Sequence, residues 1–316
     1  MAARTQVVNP DPYCDVDTEL ITMAGKQSNK MVVRLRDPET KQMVALDTLG
    51  AIHNADTYAL ITNRRLQQAS HDIMTRSRLH FEPLPAVTGS KSDPVIWDGK
   101  RYIARFYTRD VASDIQPIDG GPQHRIMLGM QITNSYDGSL GCAMEFFMMN
   151  MLCANQFYSG HMITGFNLKH YRRSDNDIEF ELDDAVKAIE QQADQFGRLL
   201  PKFAQLTGMP VGATVAGSDK KDRYVDSLSG FLDFRHRLGN SWKSSFDPYL
   251  LDELSGHGVS SRVQGIGSAS GHRTMWDLLN TYTAVCTHQI GGFSGISINR
   301  IVTDTALAML PSAKAA

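Results

Sequence analysis

The residues in this chain best suited to chemistry are basic and aromatic, and they interleave. Lys100, Arg101, Tyr102, Arg105, Tyr107 and Arg109 fall in one short stretch. Arg101, Arg105 and Arg109 recur at every fourth position. A strand changes face at every second residue, so all three belong to one face. Tyr107 shares their parity, while Tyr102 and Phe106 point the other way. Arg125, and then Lys169, Tyr171, Arg172 and Arg173, add to the positive set. Cations that track phosphates beside rings that stack on bases suit single-stranded nucleic acid. A solvated sheet face carrying surface ion pairs accounts for the same pattern equally well.

Other chemistries find less support. Asp137 and Glu145, with His170, are the residues that would hold a divalent metal in a nuclease. Asp137 stands in an Asp-Gly step, where an Asx turn is its simpler use. Glu145 stands in an apolar run and needs a cation such as Arg105 or Arg125, so the structural reading is favoured. No Cys-x-x-Cys or His-Glu-x-x-His occurs and the ten His are scattered, so neither a metal site nor a cofactor is expected. Gly265-x-Gly267-x-x-x-Gly271 misses the dinucleotide spacing, and Gly292-Phe293-Ser294-Gly295 is not a nucleophile elbow. Met144, Met148, Met149 and Met151 read as core filler. With the Trp276 region they would otherwise form a docking surface in a structural or host-takeover protein.

Composition bounds these options. The chain has 316 residues, a formal charge of −2, 42% hydrophobic and 21% charged residues. That excludes a disordered chain and a histone-like binder, but not a local basic groove. No apolar run reaches the ~18 residues of a membrane helix, and the N-terminus has no apolar leader segment. Cys14, Cys142, Cys153 and Cys286 show no paired spacing, which suggests free thiols in a reducing cytoplasm.

The elements that must position these residues follow from periodicity. Residues 1–29 read as a loose arm. Met31 to Leu35 and Gln42 to Leu46 read as a hairpin around Asp37-Pro38. A helix should run from an Asn54 cap to about Met74. Strands are expected at Leu79 to Leu84, at Val95 to Tyr107 around an Asp98-Gly99 turn, and at His124 to Thr133, with a loop from Asp110 to Pro122. Leu140 to Phe157 is apolar almost all round and predicts a buried helix. Ile178 to Leu182 predicts a short strand, and Asp183 caps a long amphipathic helix containing Pro201. A last helix should span Thr274 to about Gln289. The expected fold class is α+β: an antiparallel sheet with a β-β-β-α core over residues 30–170, a mostly helical part over 171–305, and a tail over 306–316.

Three segments carry a family resemblance. Asn134-Ser135-Tyr136-Asp137-Gly138-Ser139 leads into the apolar run ending Leu152-Cys153-Ala154-Asn155. Far downstream comes Thr274-x-Trp276-Asp277-Leu278-Leu279-Asn280-Thr281, trailed by His288. This order resembles the phage and plasmid family catalogued as domain of unknown function 932. Its members carry an Asn-Ser-x-Asp-Gly-Ser turn, a helix ending Cys-x-Asn-Gly, and a late Thr-x-Trp-x-x-x-Asn-Ala helix with a trailing His. Here Gln156 replaces the Gly and Thr281 the Ala. The resemblance implies a mobile-element gene and no settled activity. The β-β-β-α order is similar to the core of single-strand annealing recombinases, which assemble into rings or filaments. Together these give the leading expectation: a non-catalytic, cytoplasmic single-stranded DNA-binding protein of replication or recombination, of a kind that can assemble as a homo-oligomer.

Overall fold

The computed structural model describes residues 11–23, 25–36, 52–117, 122–160, 162, 164–168, 177–209, 249 and 274–310. In chain order these form β1 (Val16–Met23), β2 (Lys26–Leu35), β3 (His53–Asn54), α1 (Asn63–Arg76), β4 (Phe81–Pro83), β5 (Val95–Trp97), β6 (Arg101–Ile115), β7 (His124–Ser135), β8 (Cys142–Asn150), β9 (Asn155–Phe157), β10 (Thr164–Leu168), α2 (Asp177–Leu206), α3 (Met275–Ala284), a π-helical turn (Val285–Ile290) and α4 (Gly292–Ala308). The class is α+β with antiparallel sheets. No helix among the described residues is long and apolar enough to cross a membrane.

The main sheet has the order β10-β8-β7-β6-β4, with β5 also on β6 and β9 also on β8. The Asp98-Gly99 turn forms as its sequence requires. Asp98 Oδ1 accepts from the amides of Lys100 and Arg101 at 3.0 and 2.8 Å, and Gly99 takes φ +89°, which favours glycine.

One sheet face presents Tyr102, Ala104, Leu128, Met130, Ile132, Met144, Phe146 and Met148. It packs under Ile73 of α1, Ile189, Phe196 and Phe203 of α2, Trp276 of α3 and Val302 of α4. The opposite face presents Tyr107, Met127, Phe147 and Met149, and is covered by Leu84, Tyr158 and Ile296. The sheet is thus buried on both sides over its central strands.

That double burial explains the largest departure from expectation. Residues 140–157 are not a helix: they form β8, a turn, and β9. Eight of the nine residues of β8 are buried. A strand covered on both faces loses polar alternation and reads like a buried helix. The β-β-β-α order is therefore replaced by a continuous antiparallel run.

Other boundaries also move. Residues 16–23 are not a loose arm but pair with β2 from Val16↔Leu35 to Met23↔Lys26. The expected partner strand at 42–46 lies outside the described residues. Asn54 belongs to β3, and α1 is instead capped by Thr62, whose hydroxyl accepts from the Arg65 amide at 3.1 Å. The expected loop from Asp110 is strand as far as Ile115, because the register slips between Thr108 and Ala112 and then resumes. Ile178 to Leu182 is the start of α2, so Asp183 lies inside the helix, where it pairs with Arg76. The last helix starts after Thr274, which caps α3 with a reciprocal bond to Asp277. That helix continues as a π-turn, and α4 then runs through Ala306 to Ala308.

Candidate functional site

The register of β6 and β7 places Arg101, Arg105, Tyr107 and Arg125 on one sheet face, opposite Ser135, Gln131, Gly129 and Asp114. The face is not an open groove. Arg105 is 2% exposed and Tyr107 4%. The Tyr107 hydroxyl donates to Glu82 Oε2 at 2.6 Å, which removes it from a stacking role. Arg109 sits within the register slip, so strict alternation ends before it. It is exposed and reaches Glu82 at 3.4 Å and the Tyr107 hydroxyl at 3.1 Å. Arg101 pairs with Asp98 at 2.6 Å and lies over the Phe293 ring at 4.5 Å. Arg125 is exposed. Lys169, His170, Tyr171, Arg172 and Arg173 lie outside the described residues.

The middle of this face is a buried polar network rather than a cationic strip. Arg105 Nη1 donates to Ser92 Oγ at 3.0 Å, and Gln156 Nε2 donates to the same oxygen at 2.8 Å. The Tyr158 hydroxyl lies 2.8 Å from Gln156 Oε1 and 2.9 Å from Gln131 Oε1. Gln131 Nε2 donates to Glu145 Oε2 at 2.7 Å, and Arg300 holds the other carboxylate oxygen at 3.0 Å. Glu145 therefore finds its cation in Arg300 of α4, not in Arg105 or Arg125. Burial holds the Tyr158 hydroxyl protonated, because its pKa rises far above the ordinary value. Ser92, Gln156, Tyr158 and Arg300 were not legible as site residues. Gln156 stands where the resemblance expects glycine, and this chain uses it as a hub.

The motif residues split into two places. Asn155, Asn280, His288 and Trp276 meet behind β9. Asn155 Nδ2 donates to the Asn280 carbonyl at 2.9 Å. That leaves Asn155 Oδ1 as the acceptor for His288 Nε2 at 2.9 Å, with the Cys153 carbonyl at 2.8 Å from the same nitrogen. His288 Nε2 must then carry the proton, and Nδ1 accepts from the Ser90 hydroxyl at 2.7 Å. His288 is 0% exposed, and burial holds its pKa down at about 4, against the pull of its bond to Cys153. It is a neutral cross-brace with both nitrogens committed. Asn150 extends the lattice to Asn280 Oδ1 at 3.1 Å, and Trp276 stacks near Phe157 at 5.6 Å.

The Asn134 to Ser139 turn lies at the other end of the sheet. Asn150 pairs with Ile126, eight residues before Asn134, which is about 27 Å of strand. There Asn134 Nδ2 donates to Asn63 Oδ1 at 2.8 Å and to the Ile61 carbonyl at 2.9 Å. Ser135 closes the turn by reciprocal bonds to Leu140 at 2.9 Å. Asp137 Oδ1 accepts from the Ser139 amide at 2.9 Å and its hydroxyl at 2.5 Å, and Gly138 takes φ +71°. Partial burial pulls the Asp137 pKa up, but the Ser139 and Ser135 bonds and the charge of Arg101 hold it below the usual range. This motif is an Asx turn that docks the start of α1. Asp137 and Glu145 are bound to different partners. Glu145 faces Gln131, about 13 Å of strand before Ser135, so the two carboxylates do not share a site. No cluster of three metal-ligating side chains occurs among the described residues.

No protein-family model, curated protein or solved structure matches this chain.

Proposed function

We propose that the protein binds single-stranded nucleic acid without cleaving it, in replication or recombination of a mobile element. The observation that supports this reading is the placement of exposed arginine heads at both ends of the β6–β7 ladder. Arg101 pairs across from Ser135, and Arg125 lies ten residues earlier on β7, about 33 Å away by strand rise. Arg109 stands at the Arg125 end. The Arg101–Asp98 and Arg109–Glu82 pairs are exposed. Pairs in contact with water contribute little, so a phosphate can replace the carboxylate at little cost. Lys169, Tyr171, Arg172 and Arg173, which lie outside the described residues, keep the same proposed role, while Arg105 and Tyr107 are removed from it by burial. The three-segment resemblance supports the mobile-element setting.

The test is anisotropy of a labelled oligonucleotide against salt, with a duplex control and Mg²⁺ present. Wild type should prefer the single strand. The R101A/R109A/R125A variant should flatten the log–log salt slope by about 2, at roughly 0.7 per phosphate contact. An unchanged slope would sink the proposal. Shortening of the oligonucleotide that stops in chelator would replace it with the nuclease reading.

A further inference from the structure

We propose that Arg105 and the N-terminus of α4 form a binding site for a small oxyanion of the phosphate class. The proposal does not rest on nucleic-acid binding, although the site adjoins Arg101, whose guanidinium lies over the Phe293 ring at 4.5 Å.

The first observation is an unmatched buried charge. Arg105 is 2% exposed, and its only side-chain hydrogen bond among the described residues is to Ser92. Its Nε is buried without an acceptor. It makes no ion pair there. Asp93 contributes favourable charge only from an exposed position. A guanidinium taken from water without a carboxylate partner is destabilising, and a bound anion would offset that.

The second observation is a set of unspent backbone donors beside it. The same crevice is lined by Arg105, Tyr158, Gly291, Gly292, Gly295 and Asn299. The 17-residue helix α4 begins at Gly292, and no side chain caps it. The Gly295 amide is used by the Gly291 carbonyl at 2.9 Å. The first-turn amides of a helix have no intrahelical acceptor, and Gly292, which begins α4 at the positive end of its dipole, lines the crevice. The side-chain amides nearby are spent: Gln156 on Ser92, Asn299 on the Gln156 carbonyl at 2.6 Å. The donors that remain are a guanidinium and a helix terminus, the usual pair for a phosphate group.

Glycine keeps the mouth narrow and the backbone approachable. A Cβ on Gly292 would meet nothing within 4 Å, whereas one on Gly291 would strike Lys91 Cβ at 2.5 Å. The space among these residues is about 170 Å³ with open solvent included, and it has no room for a water-sized sphere. An anion therefore enters only as the lining residues move apart, which favours a compact oxyanion over a polymer.

The experiment is equilibrium dialysis of the full chain with radiolabelled inorganic phosphate, at ionic strength held constant with chloride. Wild type should take up one phosphate per chain and gain melting temperature with phosphate. R105M should take up none. In phosphate-free buffer R105M should melt at or above the wild-type temperature, because it removes an unpaired buried charge. Should R105M fail to fold, R105K serves, since it keeps the charge and loses the planar fork; weakened uptake supports the site. Absence of uptake by wild type, or uptake by R105M or R105K equal to wild type, overturns the proposal. The R109A/R125A variant, which leaves Arg101 on Phe293, should still take up phosphate, so loss of oligonucleotide binding alone leaves the site standing. Displacement of phosphate by oligonucleotide would assign the oxyanion to a nucleic-acid backbone, and independent uptake would assign it to a free phosphate.

Discussion

Protonation of His288 should set the acid limit of this protein. His288 is fully buried, its Nδ1 accepts from Ser90, and its Nε2–H serves Asn155 and Cys153. The imidazolium would put a second donor against Ser90 inside a desolvated lattice. Its folded pKa of about 4 lies below the unfolded value of 6.5. Between those values the unfolded chain binds the proton and the folded chain does not. Stability from this group is therefore fully present above pH 6.5 and is lost as pH falls toward 4. The difference of about 2.5 pKa units corresponds to about 3 kcal/mol at 1.36 kcal/mol each. A single domain has only about 5–15 kcal/mol in total, so the loss is large. The assay is urea unfolding at steps from pH 7 to pH 4 for wild type and H288Q, whose amide can still donate toward Asn155. Wild type should lose about 3 kcal/mol more than H288Q over that interval. Subtraction removes the carboxylates common to both chains. Parallel curves would refute the assignment of His288 as a buried neutral brace.

Two further outcomes follow from packing and capping. A Cβ at Gly129 would lie 2.3 Å from the buried Phe147 ring, so G129A should lower stability by about 1–3 kcal/mol in urea unfolding. Equal midpoints would show that the ring is free to shift. T274A removes the cap of α3 and should cost about 1 kcal/mol, while T274S should lose much less. Equal loss in both variants would mean that the methyl group, not the hydroxyl, matters.

The elements legible in the sequence are those fixed by local rules. The Asp98-Gly99 turn follows from backbone conformation, and the shared face of Arg101, Arg105 and Tyr107 from strand alternation. Each depends on residues within a few positions of each other. The nature of residues 140–157 does not. Their apolar run suits a helix or a doubly covered strand, and only β7 on one side and β9 and β10 on the other decide it. The same holds for the site. Parity could align Arg105 with Arg101, but could not show that Leu84, Tyr158 and α4 close over the middle of that face. It likewise could not show that Glu145 finds Arg300, 155 residues away in sequence. The three motif segments were visible as text. Tertiary packing alone joined Asn155, Asn280 and His288 and sent the Asn134 turn to the far end of the sheet. Burial and charge pairing are properties of what covers a residue, and the covering elements here come from distant parts of the chain.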